Sequence, residues 1–187
     1  MSLSHMVDIP GIIGIAGGVI LVAGAASPDR PILRPVASLK NWLFAVGGFV
    51  MLVYSVMNWR LGGSVFFVFL EGLVNLSSVF MMLDTDDRID APIIGVATVG
   101  LILWSLRLFP GFRTILFILG LAGVAVGYCS DAGTRRRETA LLAGSALIAG
   151  FSYLEHNWIF LWLNFFFAVF SLSQLVFLIR PRRPAAP

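Results

Sequence analysis

A glutamate, Glu71, stands inside the Phe-, Val- and Leu-rich run Ser64–Leu83. Counted from the start of that run it lies about 10 Å along a helix axis at ~1.5 Å per residue, within the depth of a hydrocarbon layer. A bare carboxylate there is costly, so such residues turn to a bundle interior, find a partner or take up a proton, and they mark pathways. Asn75 and Ser78 follow at i+4 and i+7, which puts three polar groups on one helical face. Helix–helix adhesion through hydrogen bonds is the competing use of the same residues. In the last apolar run Asn164 and Ser171 again share a face, and Trp158 and Trp162 lie one turn apart beside them. An amide next to aromatic rings offers a hydrogen-bonding edge and a flat apolar face, which suits a sugar or a nucleoside. The same two tryptophans would serve equally in an interfacial belt, the role expected of Trp42 and Trp59. Tyr54 and Tyr153, about one turn from helix ends, are candidates for gating an outer mouth, with interface anchoring as the alternative.

Enzymatic signals are weak. Two histidines, His5 and His156, form no cluster, and Glu155-His156 reads as a solvated joint more readily than as an acid–base pair. Asp84, Asp86, Asp87 and Asp90 could hold Mg²⁺ beside a phosphorylated headgroup. No further motif of a lipid phosphotransferase accompanies them, and Arg88 sits in their midst, so a solvated loop is the expectation. The chain has a single cysteine, Cys129, which rules out an internal disulfide and any Cys-x-x-Cys pair. No phosphate loop, dinucleotide fingerprint, serine elbow or haem-ligand pair is present, so no cofactor and no metal is expected.

The elements that must position these residues follow from composition. Of 187 residues 58% are hydrophobic and 12% charged, with a mean hydropathy of +0.92. Soluble domains carry roughly 25% charged residues, so this surface is built for lipid. Seven apolar runs are bounded by charge or by Pro and Gly: Ile9–Ala26, Trp42–Met57, Ser64–Leu83, Ile93–Phe109, Thr114–Cys129, Thr139–Leu154 and Trp158–Ile179. No basic segment precedes the first, which is therefore expected to stay as a span rather than be removed as a signal peptide. With seven spans, alternate loops face opposite sides. Arg30, Arg34, Lys40, Arg88, Arg135, Arg136, Arg137, Arg180, Arg182 and Arg183 then share one side, and only Arg60, Arg107 and Arg113 the other. The positive-inside rule makes the first side cytoplasmic, with the N-terminus outside. The arginine triplet and tail would contact anionic headgroups, and no soluble module exists to carry a nucleic-acid patch.

The two ends of the chain resemble each other. Tyr54-x3-Asn58-Trp59 closes the second run and Tyr153-x3-Asn157-Trp158 the sixth, and a Phe-rich run follows each, Phe66-Phe67 and Phe165-Phe166-Phe167. Those runs close on Ser77-Ser78-Val79-Phe80 and on Ser173-Gln174-Leu175-Val176-Phe177. The first and fifth share Gly-x6-Gly-x2-Ser, as Gly17, Gly24, Ser27 and Gly120, Gly127, Ser130. Three helices, a linker helix and three helices result, and an offset of four makes the two triplets parallel in the membrane. This arrangement resembles the SWEET sugar transporters, their half-size SemiSWEET relatives and the wider PQ-loop superfamily. Met51-Leu52-Val53-Tyr54-Ser55 is similar to the ending of a SWEET second helix, and Asn164 lies in about the place of the sugar-facing asparagine. The Pro-Gln pair is absent, Ser27-Pro28-Asp29 being its nearest match, and the first triplet offers Glu71 and Asn75 instead of a matching asparagine.

The expected fold is thus an all-α membrane protein of seven transmembrane helices in one domain. Residues 7–83 and 114–179 form two three-helix repeats, 93–109 the linker helix and 180–187 a basic tail. The expected function is transport of a small polar solute by alternating access, with proton linkage suggested by Glu71. Glu71, Asn75, Ser78, Asn164 and Ser171 would line the site, flanked by Trp158 and Trp162. A receptor-like or scaffolding membrane protein is the main alternative, and a lipid-modifying enzyme on the aspartate loop a lesser one. Homo-oligomers are compatible with either reading, and the bacterial inner membrane is the expected location.

Overall fold

In the computed structural model, residues 8–27, 35–83, 85, 87–108, 111–131 and 133–179 are described. They form seven α-helices, a short 3-10 turn at Pro35–Ala37 and no strand. The helices are α1 (Ile9–Ala26), α2 (Leu39–Arg60), α3 (Phe66–Leu83), α4 (Asp87–Leu108), α5 (Phe112–Tyr128), α6 (Arg135–Leu154) and α7 (Trp158–Ile179). Five of them, α1, α2, α3, α4 and α7, are long and apolar enough to cross a bilayer. The apolar α5 has 17 residues, and α6 carries its charge in its first turn, at Arg135, Arg136, Arg137 and Glu138. With large apolar side chains exposed along every span, the chain is an integral membrane protein.

Two of the expected loops are helix in their later part. The arginine triplet opens α6, because the Thr134 side chain accepts the Arg137 N–H and caps a helix that begins four residues before the apolar run does. Likewise α4 starts at Asp87, with Pro92 inside it. Acidic residues favour a helix N-terminus, where they oppose the positive end of the backbone dipole. Arg30, Arg34, Asp84, Asp86, Arg180, Arg182, Arg183 and the pair Pro28-Asp29 lie outside the described residues.

The helices close into a ring. Neighbours in order are α1, α2, α3, α5, α6 and α7, with α7 touching α1 again. Among the described residues α4 touches only α3 and α5 and lies outside the ring. Backbones approach closely where glycines face each other across α5 and α6. A β-carbon on Gly144 would stand 2.6 Å from the Val124 nitrogen, and one on Gly123 would stand 2.8 Å from the Gly144 Cα. Between α1 and α2, a β-carbon on Gly17 would meet Met51 at 3.0 Å and one on Gly47 would meet Leu21 at 2.9 Å.

Buried positions recur in order and spacing around the ring. Gly47, Gly48, Met51, Tyr54 and Ser55 of α2 are matched in α6 by Gly144, Ser145, Ile148, Phe151 and Ser152. Ser55 Oγ donates to the Met51 carbonyl and Ser152 Oγ to the Ile148 carbonyl, both at 2.7 Å. Gly14, Gly17, Leu21 and Gly24 of α1 are matched in α5 by Phe117, Gly120, Val124 and Gly127. Contacts match as well: Gly17 meets Met51 as Gly120 meets Ile148, and Gly24 meets Phe44 as Gly127 meets Leu141.

Candidate functional site

Near the end of the ring that carries Arg113, aromatic side chains fill the centre. Phe67 of α3 lies flat on Phe160 of α7, with ring centroids 4.2 Å apart and planes 10° from parallel. Phe151 packs on Phe67 at 5.5 Å and Tyr54 on Phe160 at 5.8 Å, so each ring of the stack has one flanking partner. Phe66, Phe117 and Phe151 continue the cluster towards α5.

One helical turn beyond this stack, on the same faces, stand Glu71 and Asn164. Their surroundings correspond: Phe67, Leu70, Glu71 and Ser78 of α3 are buried, and so are Phe160, Leu163, Asn164 and Ser171 of α7 at the same spacing. Glu71 is 2% exposed and points inside the protein rather than to lipid. Its Oε2 has no hydrogen-bond partner among the described residues. Asn164 Nδ2 donates to the Phe160 carbonyl at 2.9 Å, and Asn75 Nδ2 to the Glu71 carbonyl at 2.7 Å. Ser78 Oγ donates to the Val74 carbonyl at 2.9 Å. These three side chains thus lean on their own helices, and the Glu71 oxygen beside them is a buried acceptor without a donor among the described residues, as are Asp90 Oδ1 and Ser105 Oγ on α4. Asn75 also lies over Gly48, where a β-carbon would stand 3.5 Å from its amide.

The remaining predicted residues are not drawn together. Trp158 and Trp162 are 56% and 55% exposed on the outer face of α7. Trp158 meets Tyr153 edge-on and Trp162 packs on Phe165 and Phe166, so neither ring reaches Asn164 in this way of packing. Their placement is that of an aromatic belt. Tyr54 and Tyr153 part company too. Tyr54 is buried, and its hydroxyl donates to Asn157 Oδ1 at 3.2 Å, whereas Tyr153 is 59% exposed. The equal Tyr-x3-Asn-Trp spacings occupy unlike settings: the first lies wholly within α2, while Asn157 caps α7 by accepting the Phe160 N–H and Trp158 begins that helix. In packing, Tyr54 is the counterpart of Phe151. The recurring Gly-(Gly/Ser)-x2-(Met/Ile)-x2-(Tyr/Phe)-Ser at Gly47 and Gly144 is the sequence signal for that match, a weaker one than Tyr-x3-Asn-Trp because small and aliphatic residues recur throughout apolar helices.

A cavity of about 670 Å³ opens at the Arg113 end, where three helix joints meet. Trp59, Ser64, Phe66, Arg113, Thr114 and Glu155 are among its walls. Arg113 Nη1 pairs with Glu155 Oε1 at 3.3 Å across its rim, so Glu155 is engaged by arginine. Phe66 forms part of its wall and belongs to the aromatic cluster, so a layer of rings separates this hollow from Glu71 and Asn164. No protein-family model matches the chain, and neither a curated protein nor a solved structure proves similar to it.

Proposed function

We propose that the chain is a membrane transporter of a small polar solute, in which α1–α3 and α5–α7 act as two parallel units that rock about a site at the level of Glu71 and Asn164. The observation that carries this reading is the pairing of Phe67, Leu70, Glu71 and Ser78 with Phe160, Leu163, Asn164 and Ser171. Equivalent residues of two units meet at an axis between them, and repeat transporters place their substrates at that interface near mid-membrane. Reciprocal contacts support the same axis, since α1 touches α7 as α3 touches α5. The outlying α4 fits a linker that reverses direction so that both units run the same way. The architecture is the one that the resemblance to the SWEET and PQ-loop transporters implies. In this reading the Arg113 end faces outward, the Arg135 end faces the cytoplasm of a bacterial inner membrane, and the aromatic layer closes the outer side.

Uptake of labelled solutes into proteoliposomes tests the proposal. Flux is expected to fall to background with Glu71→Gln combined with Asn164→Ala, and undiminished flux in that double variant would remove the site. A second reading, a non-transporting subunit, draws on the way Asn75, Ser78 and Asn164 bond back to their own helices, as purely structural polar residues do. It predicts that no solute crosses and that both substitutions act on stability alone.

A further inference from the structure

We infer that the solute of this site is a small organic cation, held by the Glu71 carboxylate and by the aromatic rings one turn away. This rests on the carrier reading for its location and names the class of substrate. Glu71 is buried, and its Oε2 lacks a donor among the described residues. Every described lysine and arginine lies in the first or last turn of a helix, at the two ends of the ring, and His156 lies in the joint before α7. Among the described residues, no lysine, arginine or histidine shares the level of the Glu71 carboxyl along the helices. The matching place on the other wall holds Asn164, a neutral amide. Two walls alike in their apolar neighbours thus differ by one ionisable group, and a solute with a cationic end and a neutral end suits both. A buried carboxylate without a counter-charge is unfavourable, and an incoming cation removes that penalty.

The aromatic layer narrows the class further. Ring faces attract cations, most strongly those that shed water easily, such as alkylated ammonium groups. Phe67 and Phe160 stand one turn above the carboxyl and the amide, and parting that stack would expose two ring faces to whatever lies between the walls. A magnesium or calcium ion needs about six oxygen ligands, far more than one carboxyl and one amide supply. An ammonium with apolar substituents needs one carboxylate and an apolar surround, and this is what the two walls present.

The test is binding to the purified full-length protein by isothermal titration, with tetramethylammonium and benzyltrimethylammonium against glucose and uridine as neutral comparisons. Both cations are expected to bind, and Glu71→Gln to weaken them roughly 30-fold or more. Glu71→Asp, which keeps the charge, is expected to retain measurable affinity, and Phe160→Leu to weaken the benzyl compound. Melting curves of each variant separate loss of the site from loss of the fold. Equal cation affinity in the wild-type protein and Glu71→Gln overturns the inference, as does binding of glucose or uridine without either cation. Proton uptake at Glu71 with no binding of either cation overturns it too. The carrier reading fails separately: cations that bind but never cross a proteoliposome membrane leave the cation site standing and remove transport. Flux of uridine without cation binding does the reverse.

Discussion

At the scale of single residues, the deciding fact is that Glu71 is buried with an acceptor oxygen that no described residue answers. That could be anticipated from its position in an apolar run, whereas Trp158 and Trp162 had two equal readings, a site and a belt, between which the sequence did not choose. Aromatic rings at a helix end suit an interface and a binding site equally well by residue type, and only packing shows which way they turn. Two consequences are local. Gly144 stands against backbone atoms of α5, so Gly144→Ala should push α5 and α6 apart and lower the melting temperature in detergent by several degrees. Gly72→Ala, with nothing within 4 Å of its added methyl, should be neutral or stabilise by up to ~1 kcal/mol. Phe67→Ala leaves a hole in the ring stack and should cost on the order of 3 kcal/mol, read as a lower midpoint of thermal unfolding.

At the scale of the helices, the joints determine how the ring closes. Asn157 links two of them: its Oδ1 caps α7 through the Phe160 N–H and receives the Tyr54 hydroxyl from α2. Asn157→Ala should therefore cost about 2 kcal/mol, more than an ordinary cap, while Tyr54→Phe should cost about 1 kcal/mol. Combined, the two should cost less than their sum, because the shared bond is lost only once. By contrast the Arg113–Glu155 pair is largely exposed on its arginine side, and Arg113→Ala should change stability by less than ~1 kcal/mol. Helix existence and order were legible from the apolar runs. The starts of α4 and α6 were not, because charged residues look like loop until a cap such as Thr134 is seen to hold them in a first turn.

At the scale of the whole molecule, orientation and symmetry govern what the protein can do. Cys129, the single cysteine, is exposed just beyond α5 at the Arg135 end. A membrane-impermeant maleimide added to intact cells should leave it unlabelled and should label it once the cytoplasmic side is opened. Labelling from outside would invert the orientation. The ring itself was half legible. Gly17, Gly24 and Ser27 find their counterparts in Gly120, Gly127 and Ser130, even to the serine hydroxyls, which donate to the Ala23 and Val126 carbonyls. The Tyr-x3-Asn-Trp match paired residues that packing separates.

Composition and the spacing of charge were enough to determine that this chain lives in a bilayer, that it is made of helices, and roughly where each one runs. Those properties follow from transfer of side chains between water and lipid, which each residue contributes almost independently. Which face of each helix looks inward, which phenylalanines meet at the centre, and that Glu71 is buried one turn from the Phe67–Phe160 stack were decided only by tertiary structure. Inside lipid the outside of a helix is as apolar as its packed face. Close fit between glycines and their partners then chooses the neighbours, and fit is a property of two surfaces together.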